Sequence, residues 1–260
     1  MVILNTLLAG LATAALSVTI AFVLASLRHK RYDLIDVFWG PTIALVAATS
    51  LIAHRRPWPW LAITATGLVI IWAGRLAWYI GRRWWRAPSE DPRYQTLRAN
   101  WPQRAQAAQV YSRIYLVQAL LASLVCLPVV VIIWSTPPIG WWTWAGLALW
   151  LGGFGVEVIA DHQLAAFAKH PENRGRLLTT GLRRWIRHPN YLGEITLWWG
   201  LALVAGVSSN WWLAALGAGT ITYLITQVSG VPPAEARLSH KPGWLTYRRQ
   251  TGSLFPKLKS

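Results

Sequence analysis

The sequence predicts an all-α integral membrane protein with seven transmembrane helices. The chain of 260 residues is 54% hydrophobic and only 13% charged, and its charged residues are clustered. The stretches between these clusters are apolar and long enough to cross a bilayer. They cover residues 2–27, 34–53, 60–81, 110–134, 141–160, 193–207 and 211–230.

The distribution of basic residues predicts the orientation of these helices. Lys and Arg gather after the first, third and fifth runs and in the C-terminal tail, whereas loops 135–140 and 208–210 contain none; Arg55 and Arg56 are the exception. Cytoplasmic loops of membrane proteins are enriched in Lys and Arg, so we expect the N-terminus outside and the C-terminus in the cytoplasm. The same bias accounts for the net charge of +16, and we expect no nucleic-acid partner.

Three features of single residues or runs refine this prediction. The run from Val2 to Leu27 lacks a basic n-region and a clear cleavage site, which indicates a retained helix rather than a signal peptide. Cys126 is the single cysteine, so a disulfide or a CxxC redox site within one chain is excluded. Many of the 19 Trp lie at the ends of runs, which is typical of an aromatic interface belt.

Four acidic residues lie within or at the ends of apolar runs, where an unpaired carboxylate is costly. They are Asp36, Glu157, Asp161 and Glu194. Glu157 and Asp161 are four residues apart and therefore share one helix face. Salt bridges to nearby arginines would explain each acid singly, whereas the four together favour a common polar cavity near the cytoplasmic helix ends.

The third run carries a stripe of aromatic and basic residues spaced three or four apart, which places them on one helix face. The stripe consists of Trp72, Arg75, Tyr79, Arg82 or Arg83, and Arg86. Because Arg binds phosphate through two parallel hydrogen bonds, the stripe suits a phosphate-bearing ligand. The alternative is a basic helix end whose arginines extend towards the membrane surface.

The segment from Arg187 to Glu194 combines a cation, an imidazole, a turn, a phenol and a carboxylate next to the sixth run. Pro189 and Asn190 can turn the chain there, which leaves backbone N–H groups at the helix start for an anion. We expect this segment to mark the mouth of a site for one large anionic ligand. The tail over 241–256 is amphipathic and is expected either to lie on the membrane surface or to fold over this mouth.

Taken together, these motifs match a known pattern. They are Asp36-Val37-Phe38-Trp39-Gly40, Arg75 with Tyr79, Glu90-Asp91-Pro92-Arg93-Tyr94, the 187–194 segment, and Tyr247 with Phe255-Pro256. With them the chain resembles the membrane steroid 5α-reductase family, in particular its bacterial DUF1295-type branch. The resemblance covers nearly the whole chain and is more specific in the C-terminal half.

The resemblance implies a single membrane reductase domain, with residues 1–106 on the substrate side and 107–260 binding the cofactor. It implies NADPH bound from the cytoplasmic side of a bacterial inner membrane, and no metal. Hydride would pass to the β-carbon of an enone in a lipophilic substrate, such as a 3-oxo-Δ4-steroid, that enters from the bilayer. The basic surplus suits the 2′-phosphate that distinguishes NADPH from NADH.

The resemblance also implies the site residues. The cofactor contacts would be Arg75, Tyr79, Arg83, Arg86, Arg93, Tyr94, Glu157, Asp161, Arg174, Arg176, His188, Asn190, Tyr191, Glu194, Tyr247 and Arg248, with Arg174 or Arg176 on a phosphate. Steroid reductases use a Glu and a Tyr on the second and third helices; here Asp36, Trp39 and Trp72 occupy these neighbourhoods. A protonated Asp36 would donate to the substrate carbonyl, or Trp39 would do so through its indole N–H.

Two other classes of function remain open at this point. Membrane methyltransferases of the isoprenylcysteine or phospholipid type share an Arg-His-Pro-x-Tyr segment and bind S-adenosylmethionine, but they carry a Glu-Glu pair where this chain has only Glu235. That difference and the Arg-rich third run favour the reductase. A non-catalytic lipid-binding or transport protein is the third hypothesis, but no internal repeat of the kind common in transporters is present.

Overall fold

The structure is a computed structural model, and it describes residues 2–28, 30–54 and 57–257. The residues outside these ranges are Met1, His29, Arg55, Arg56 and 258–260. The prediction that the described chain is helical is confirmed. Its β-structure, within these ranges, is limited to one isolated parallel bridge between Ile186 and Gly252.

Five helices in the described ranges are long and apolar enough to cross a membrane. They are Leu4–Leu27, Tyr32–Ala53, Trp60–Arg86, Gln103–Val125 and Trp141–Lys169. The predicted sixth run is also helical but has 17 residues, or about 25 Å of helix, against a hydrocarbon core of about 30 Å. The membrane class is therefore supported, whereas seven crossings and the orientation of the termini stay predictions.

The chain divides into two compact units. The first comprises Met1–Pro137 and Ser208–Leu213, and the second comprises Pro138–Val207 and Ala214–Ser260. This boundary is one of packing. The predicted division of labour, with residues 1–106 on the substrate side and 107–260 binding the cofactor, stays a prediction.

The first unit is built from three long helices and four shorter ones. They are α1 (Val2–Leu27), α2 (Ile35–Ala53), α3 (Trp60–Arg86), α4 (Pro92–Arg98), α5 (Gln106–Val110), α6 (Leu116–Val125) and α7 (Leu127–Ser135). Helix α2 packs between α1 and α3. An added Cβ on Gly40 would lie 3.1 Å from the backbone of Ala73, so α2 and α3 cross closely beside Trp39 and Trp72, two of the predicted catalytic residues.

The predicted run 110–134 follows one path but is not one helix. Helix α5 passes through a π turn at Tyr111–Tyr115 into α6, and α7 begins after a break at Cys126. Pro128 has no backbone N–H, and its ring would clash with the carbonyl four residues earlier in a continuous helix. The amides of Val129 and Val130 bond to the Cys126 carbonyl at 3.0 and 3.2 Å, which restarts the helix.

The second unit contains one very long helix and four shorter ones. They are α8 (Trp141–Lys169), α9 (Pro189–Ala205), α10 (Trp211–Tyr223), α11 (Val231–Ser239) and α12 (Trp244–Gln250). The first residues of α10 belong to the first unit, and its end continues into a π turn at Leu224–Val228. The loop between α8 and α9 holds two 3-10 turns, Pro171–Asn173 and Gly181–Arg184.

Helices α8 and α9 are in backbone contact at two pairs of glycines. A Cβ on Gly153 would lie 2.5 Å from the carbonyl oxygen of Gly193, and a Cβ on Gly146 would lie 2.5 Å from that of Gly200. Lipid tails are as apolar as a helix surface, so membrane helices associate mainly through such close packing. The glycines therefore determine how near the start of α9 lies to α8.

Gly153→Ala should destabilise the second unit by about 1–3 kcal/mol, because the new methyl group overlaps the Gly193 carbonyl and forces the helices apart. Thermal unfolding in detergent, followed by circular dichroism, would show the lower midpoint. Gly152→Ala is the matched control on the same helix, since an added Cβ there meets no atom within 4 Å. Equal midpoints for the two variants would contradict the proposed role of the contact.

Candidate functional site

In the first unit, Asp36, Arg93 and Tyr94 form a hydrogen-bonded cluster. The Asp36 carboxylate accepts a bond at Oδ1 from the Tyr94 hydroxyl at 2.5 Å and at Oδ2 from the Arg93 guanidinium at 3.0 Å. Helix α4 presents both partners because Asp91 caps it, accepting from the Arg93 amide at 2.9 Å, with Pro92 at the first helical position. A predicted catalytic acid thus lies against two predicted cofactor contacts.

The hydrogen bonds give each member of this cluster a chemical role. Both oxygens of Asp36 accept hydrogen bonds here, and its expected role as a donor to a substrate carbonyl stays a prediction. Tyr94 is 6% exposed, and burial, followed by the nearby Asp36 charge, raises the pKa of its phenol well above 10. The phenol therefore stays protonated at neutral pH, and Tyr94 is the hydrogen-bond donor of the pair.

The buried carboxylate of Asp33 fixes the loops around this cluster. It accepts from the Trp84 indole at 2.9 Å, from the Asp91 amide at 3.0 Å and from Arg31 at 3.1 Å. Arg31 also lies over the Trp84 ring at 4.4 Å and donates to the Ala87 carbonyl at 2.8 Å. The segment before α2 and the segment after α3 are thereby held together.

Glu90 makes a second connection between the same two segments. It accepts from the Tyr32 amide at 3.0 Å and from both terminal nitrogens of Arg98, one of them at 2.7 Å. The hydroxyl of Tyr115 donates to the Tyr32 carbonyl at 2.9 Å. The sequence analysis assigned no role to Asp33 or Glu90. The chain has only nine acidic residues, and the position of these two close to arginines in the sequence could have predicted that they form ion pairs.

The predicted stripe on α3 runs from the interior of the protein to its surface. Trp72 is fully buried, Arg75 and Tyr79 are half-buried, and Arg83 and Arg86 are exposed. This gradient is what a helix shows as it leaves an apolar layer. The cofactor role of these arginines stays a prediction.

In the second unit, Arg187 holds the C-terminal tail. Its guanidinium donates to Glu235 at 2.8 and 2.6 Å, to the carbonyl oxygen of Thr251, and to that of Arg248 at 3.4 Å. Its amide bonds to the Gly252 carbonyl at 2.9 Å. The tail therefore folds back onto the 187–194 segment, which is the second of the two arrangements expected from the sequence. We call this set of contacts the Arg187 clamp.

His188 lies in the clamp as a neutral ring. Its amide bonds to the Ser253 carbonyl at 3.0 Å, and its ring stacks on Tyr191 with centroids 5.4 Å apart. Its Nε2 is 3.5 Å from Glu235, longer than a well-formed hydrogen bond. Burial, and then the nearby Arg183 charge, lower the pKa of His188 to about 4. His188 can therefore stack on a ligand or hydrogen-bond to it, but it carries no charge for a phosphate at neutral pH.

A basic pocket of about 240 Å³ is formed by the α8–α9 loop and the tail helices. Its described lining residues are Leu164, Phe167, Ala168, Asn173, Arg174, Gly175, Arg176, Leu177, Leu178, Arg183, Leu238, Lys241 and Tyr247. Four of them are basic, and this described lining includes no Asp or Glu. The pocket is therefore suited to an anion.

Two hydrogen bonds join the walls of the basic pocket. The Tyr247 hydroxyl donates to the Arg183 carbonyl at 2.7 Å, and Lys241 donates to the Arg176 carbonyl at 2.9 Å. Burial raises the pKa of Tyr247, so its phenol remains a neutral donor. Arg183 and Lys241 were not among the predicted contacts, because their convergence joins segments 64 and 65 residues apart.

The other predicted contacts of this unit lie on α8 and α9. Glu157 and Asp161 are buried on α8, whereas Asn190 and Glu194 are half-buried near the start of α9. The Oδ1 atom of Asn190 is buried and accepts no hydrogen bond from the residues that the structure describes. Such an oxygen is costly to leave unpaired, so Asn190 is a position where an N–H or O–H donor of a ligand would be stabilised.

Comparison with known proteins gives one protein family that matches most of the chain and two individual proteins that match parts of it. The family described as "Protein of unknown function (DUF1295)" matches residues 21–251. An uncharacterized protein of Schizosaccharomyces pombe is 26% identical over 223 residues, which cover 74% of this chain and 62% of that protein. The 3-oxo-5-alpha-steroid 4-dehydrogenase 1 of Bos taurus is 35% identical over 66 residues, which cover 25% of this chain and 26% of that enzyme.

The chain thus spans less than two thirds of the length of either relative. No solved structure matches it significantly.

Arg187→Lys should release the tail while the helices stay folded. Lysine keeps the charge but replaces the planar guanidinium fork with one compact ammonium on a shorter reach, so part of the hydrogen bonding to Glu235 and the tail carbonyls is lost, at about 1.5–3 kcal/mol for each bond to a charged group. Hydrogen exchange would show faster exchange of the residue 187 and His188 amides, which bond to the tail. Arg184→Lys, at an exposed position of the same loop, is the control. Unchanged protection in Arg187→Lys would show that the clamp does not hold the tail.

Proposed function

The chain belongs to the DUF1295 family, within the steroid 5α-reductase-like superfamily, and from this premise we propose that it is a membrane reductase that uses NADPH to reduce the C=C bond of an enone. The proposed substrate is lipophilic, of the 3-oxo-Δ4-steroid class, and enters from the bilayer. The partial similarity to the bovine steroid dehydrogenase supports the reaction type. We place the enzyme in a bacterial inner membrane with its cofactor site facing the cytoplasm.

The observation that carries the proposal is the basic pocket of the second unit. Guanidinium groups bind phosphate through two parallel hydrogen bonds, and the exposed Arg174 and Arg176 line this pocket, whose described lining includes no carboxylate. The volume of about 240 Å³ is below the range of about 300–1,000 Å³ that is usual for whole-ligand pockets. The pocket therefore suits one phosphorylated end of a dinucleotide, and we assign the 2′-phosphate to Arg174 and Arg176.

Other residues are proposed to hold the remainder of the cofactor. In the second unit these are Asn190, through its unpaired Oδ1, and His188 and Tyr191, through their stacked rings. The family resemblance adds further contacts in this unit, namely Glu157, Asp161, Glu194 and Arg248. The resemblance also implies contacts by Arg75, Tyr79, Arg83, Arg86 and Arg93 of the first unit, and these stay predictions.

The cluster around Asp36 suggests how the substrate carbonyl is polarised. When bound, the reduced nicotinamide supplies a hydride to the β-carbon of the enone. The electrons of the C=C bond then move to the carbonyl oxygen, which gains negative charge and needs a hydrogen-bond donor, and a proton from solvent at the α-carbon completes the reduction. We assign the role of hydrogen-bond donor to Tyr94, whose one phenolic proton is directed to Asp36 Oδ1 in the protein without substrate. On substrate binding the hydroxyl would exchange that bond for one to the carbonyl oxygen, while Asp36 keeps its bond from Arg93. A phenol donates without ionising, which suits a site where charge develops on the substrate.

Titration of the detergent-purified protein with NADPH, NADH and S-adenosylmethionine tests the cofactor. We expect NADPH to bind about tenfold more tightly than NADH, and Arg174→Gln/Arg176→Gln to remove that preference of about 1.4 kcal/mol by removing the phosphate contacts. Arg249→Gln removes an exposed arginine of α12 that does not line the pocket, and should leave the preference intact. Binding of S-adenosylmethionine without any response to NADPH would reject the reductase in favour of a methyltransferase.

Tyr94→Phe tests the proposed donor. Losing the hydroxyl should lower kcat for enone reduction about 100-fold or more, in the range found for removal of one hydrogen-bond donor to a developing oxyanion, with NADPH affinity unchanged. Asp36→Asn should also retain NADPH binding and lose turnover.

Tyr111→Phe is the matched control for this experiment, because the Tyr111 hydroxyl bonds to Thr19 at 2.8 Å, outside the cluster. If Tyr94→Phe weakens NADPH binding and keeps kcat, Tyr94 is a cofactor contact instead. Full turnover in Asp36→Asn would remove Asp36 from the mechanism.

A further inference from the structure

Helix α3 presents a second face, on the side away from its buried stripe. Trp72 is fully buried, whereas Trp78 and Trp85 are 68% and 71% exposed. At 100° per residue, both exposed rings project from the side opposite Trp72, together with Gly74, whereas an added Cβ on Gly81 would lie 3.5 Å from Val37. An added Cβ on Gly74 would meet no atom within 4 Å. This side of the helix is therefore apolar and smooth at its centre.

The smooth face ends in a cleft of about 350 Å³ at the basic end of α3. The cleft is lined by Ala77, Trp78, Gly81, Arg82, Trp85 and Arg86. The guanidinium of Arg82 lies over the Trp78 ring at 5.5 Å, and that of Arg28, at the end of α1, lies over the Trp85 ring at 5.9 Å. This described lining contains no carboxylate. We call this feature the α3 cleft.

We propose that the α3 cleft binds the headgroup of an anionic phospholipid and that one acyl chain of this lipid lies along the smooth face of α3. The arginines supply charge and bidentate donors for the phosphate. Away from them the face continues through Ile70 and Ile71, which are 49% and 57% exposed. An occupant must therefore be anionic at one end and apolar over the rest of its length, which is the chemistry of a phospholipid.

A second arginine–tryptophan pair shows what distinguishes this cleft from a general basic surface. Arginines at helix ends commonly extend to the membrane surface without selecting a particular lipid. In the second unit, Arg184 lies over the Trp185 ring at 5.7 Å and both side chains are exposed. That pair lies at the 3-10 turn Gly181–Arg184 and does not continue into an apolar helix face. Both pairs place an arginine over a tryptophan ring. Of the two, the pair in the α3 cleft is the one that lies next to an apolar helix face on which an acyl chain could pack.

The lipid site does not depend on the proposed reductase activity. Arg28, Arg82, Trp78 and Trp85 are not among the proposed cofactor contacts. Arg86 lines the α3 cleft and is such a contact, so it is left unchanged in the test. A failure of NADPH to bind would leave the lipid proposal standing, and the reverse also holds.

The test is lipid retention by the detergent-purified full chain, measured by native mass spectrometry in an equimolar mixture of dioleoylphosphatidylglycerol and dioleoylphosphatidylcholine. We expect one phosphatidylglycerol to be retained preferentially. Arg28→Gln/Arg82→Gln should lower the fraction of protein with bound phosphatidylglycerol at least fivefold. Ala77→Leu should have a similar effect without changing charge, because it fills the floor of the cleft. Arg184→Gln, which removes an arginine from the comparison pair, should leave retention unchanged.

The outcomes separate a discrete site from general attraction. Equal retention of the two lipids by the wild-type protein would overturn the proposal. A loss in Arg184→Gln as large as that in the double variant would also overturn it, because it would show a diffuse electrostatic effect. Thermal midpoints measured without added lipid identify any variant that fails to fold. Should Ala77→Leu fail to fold, the Arg28→Gln/Arg82→Gln comparison with Arg184→Gln decides the question.

Discussion

A charge that is buried in an apolar, helical protein must be given hydrogen-bonding partners, and this constraint shapes both units of the chain. In the first unit, Asp33 and Glu90 each gather donors from the segments before α2 and after α3. In the second, Arg187 gathers Glu235 and the tail carbonyls. Each buried charge therefore connects segments that are far apart in sequence. These hydrogen bonds and ion pairs position the short helices α4 and α12.

The same constraint separates arginines that hold the structure from arginines that are available to a ligand. Arg187 belongs to the segment with the most recognisable motif, yet its donors are directed to the protein's own tail. Arg174 and Arg176 lie in a less distinctive loop, and their side chains are exposed at a pocket lined by basic residues. The motif thus builds the mouth of the proposed site, while its neighbours supply the charge. Helix α3 carries the predicted stripe on one side and an exposed apolar face on the other, and Arg82 and Arg86 line the cleft at its basic end.

Particular residues show how far the sequence could lead. The helical runs were predictable because apolar length is a local property, although run 110–134 was predicted without the break at Cys126 that precedes Pro128. Asp36 could be singled out as an acid in an apolar run, but its partners could not be predicted, since Arg93 and Tyr94 reach it from 57 and 58 residues away. Arg183 and Lys241 were missed because each lies among other basic residues in the sequence. Only the packing of the tail on the α8–α9 loop brings them to one pocket.

The sequence by itself determined that this chain is a helical membrane protein, where its helical runs lie, and which polar segments lie at their ends. These properties depend on composition and periodicity over about twenty consecutive residues, so they can be predicted from the local sequence. Only the tertiary structure decided which polar group meets which: Asp36 with Tyr94, Arg187 with Glu235, and Tyr247 with the Arg183 loop. Such pairings depend on how segments that are distant in sequence pack against one another. A local sequence pattern does not predict them, because a charged or polar group needs a protein partner only once the fold has buried it.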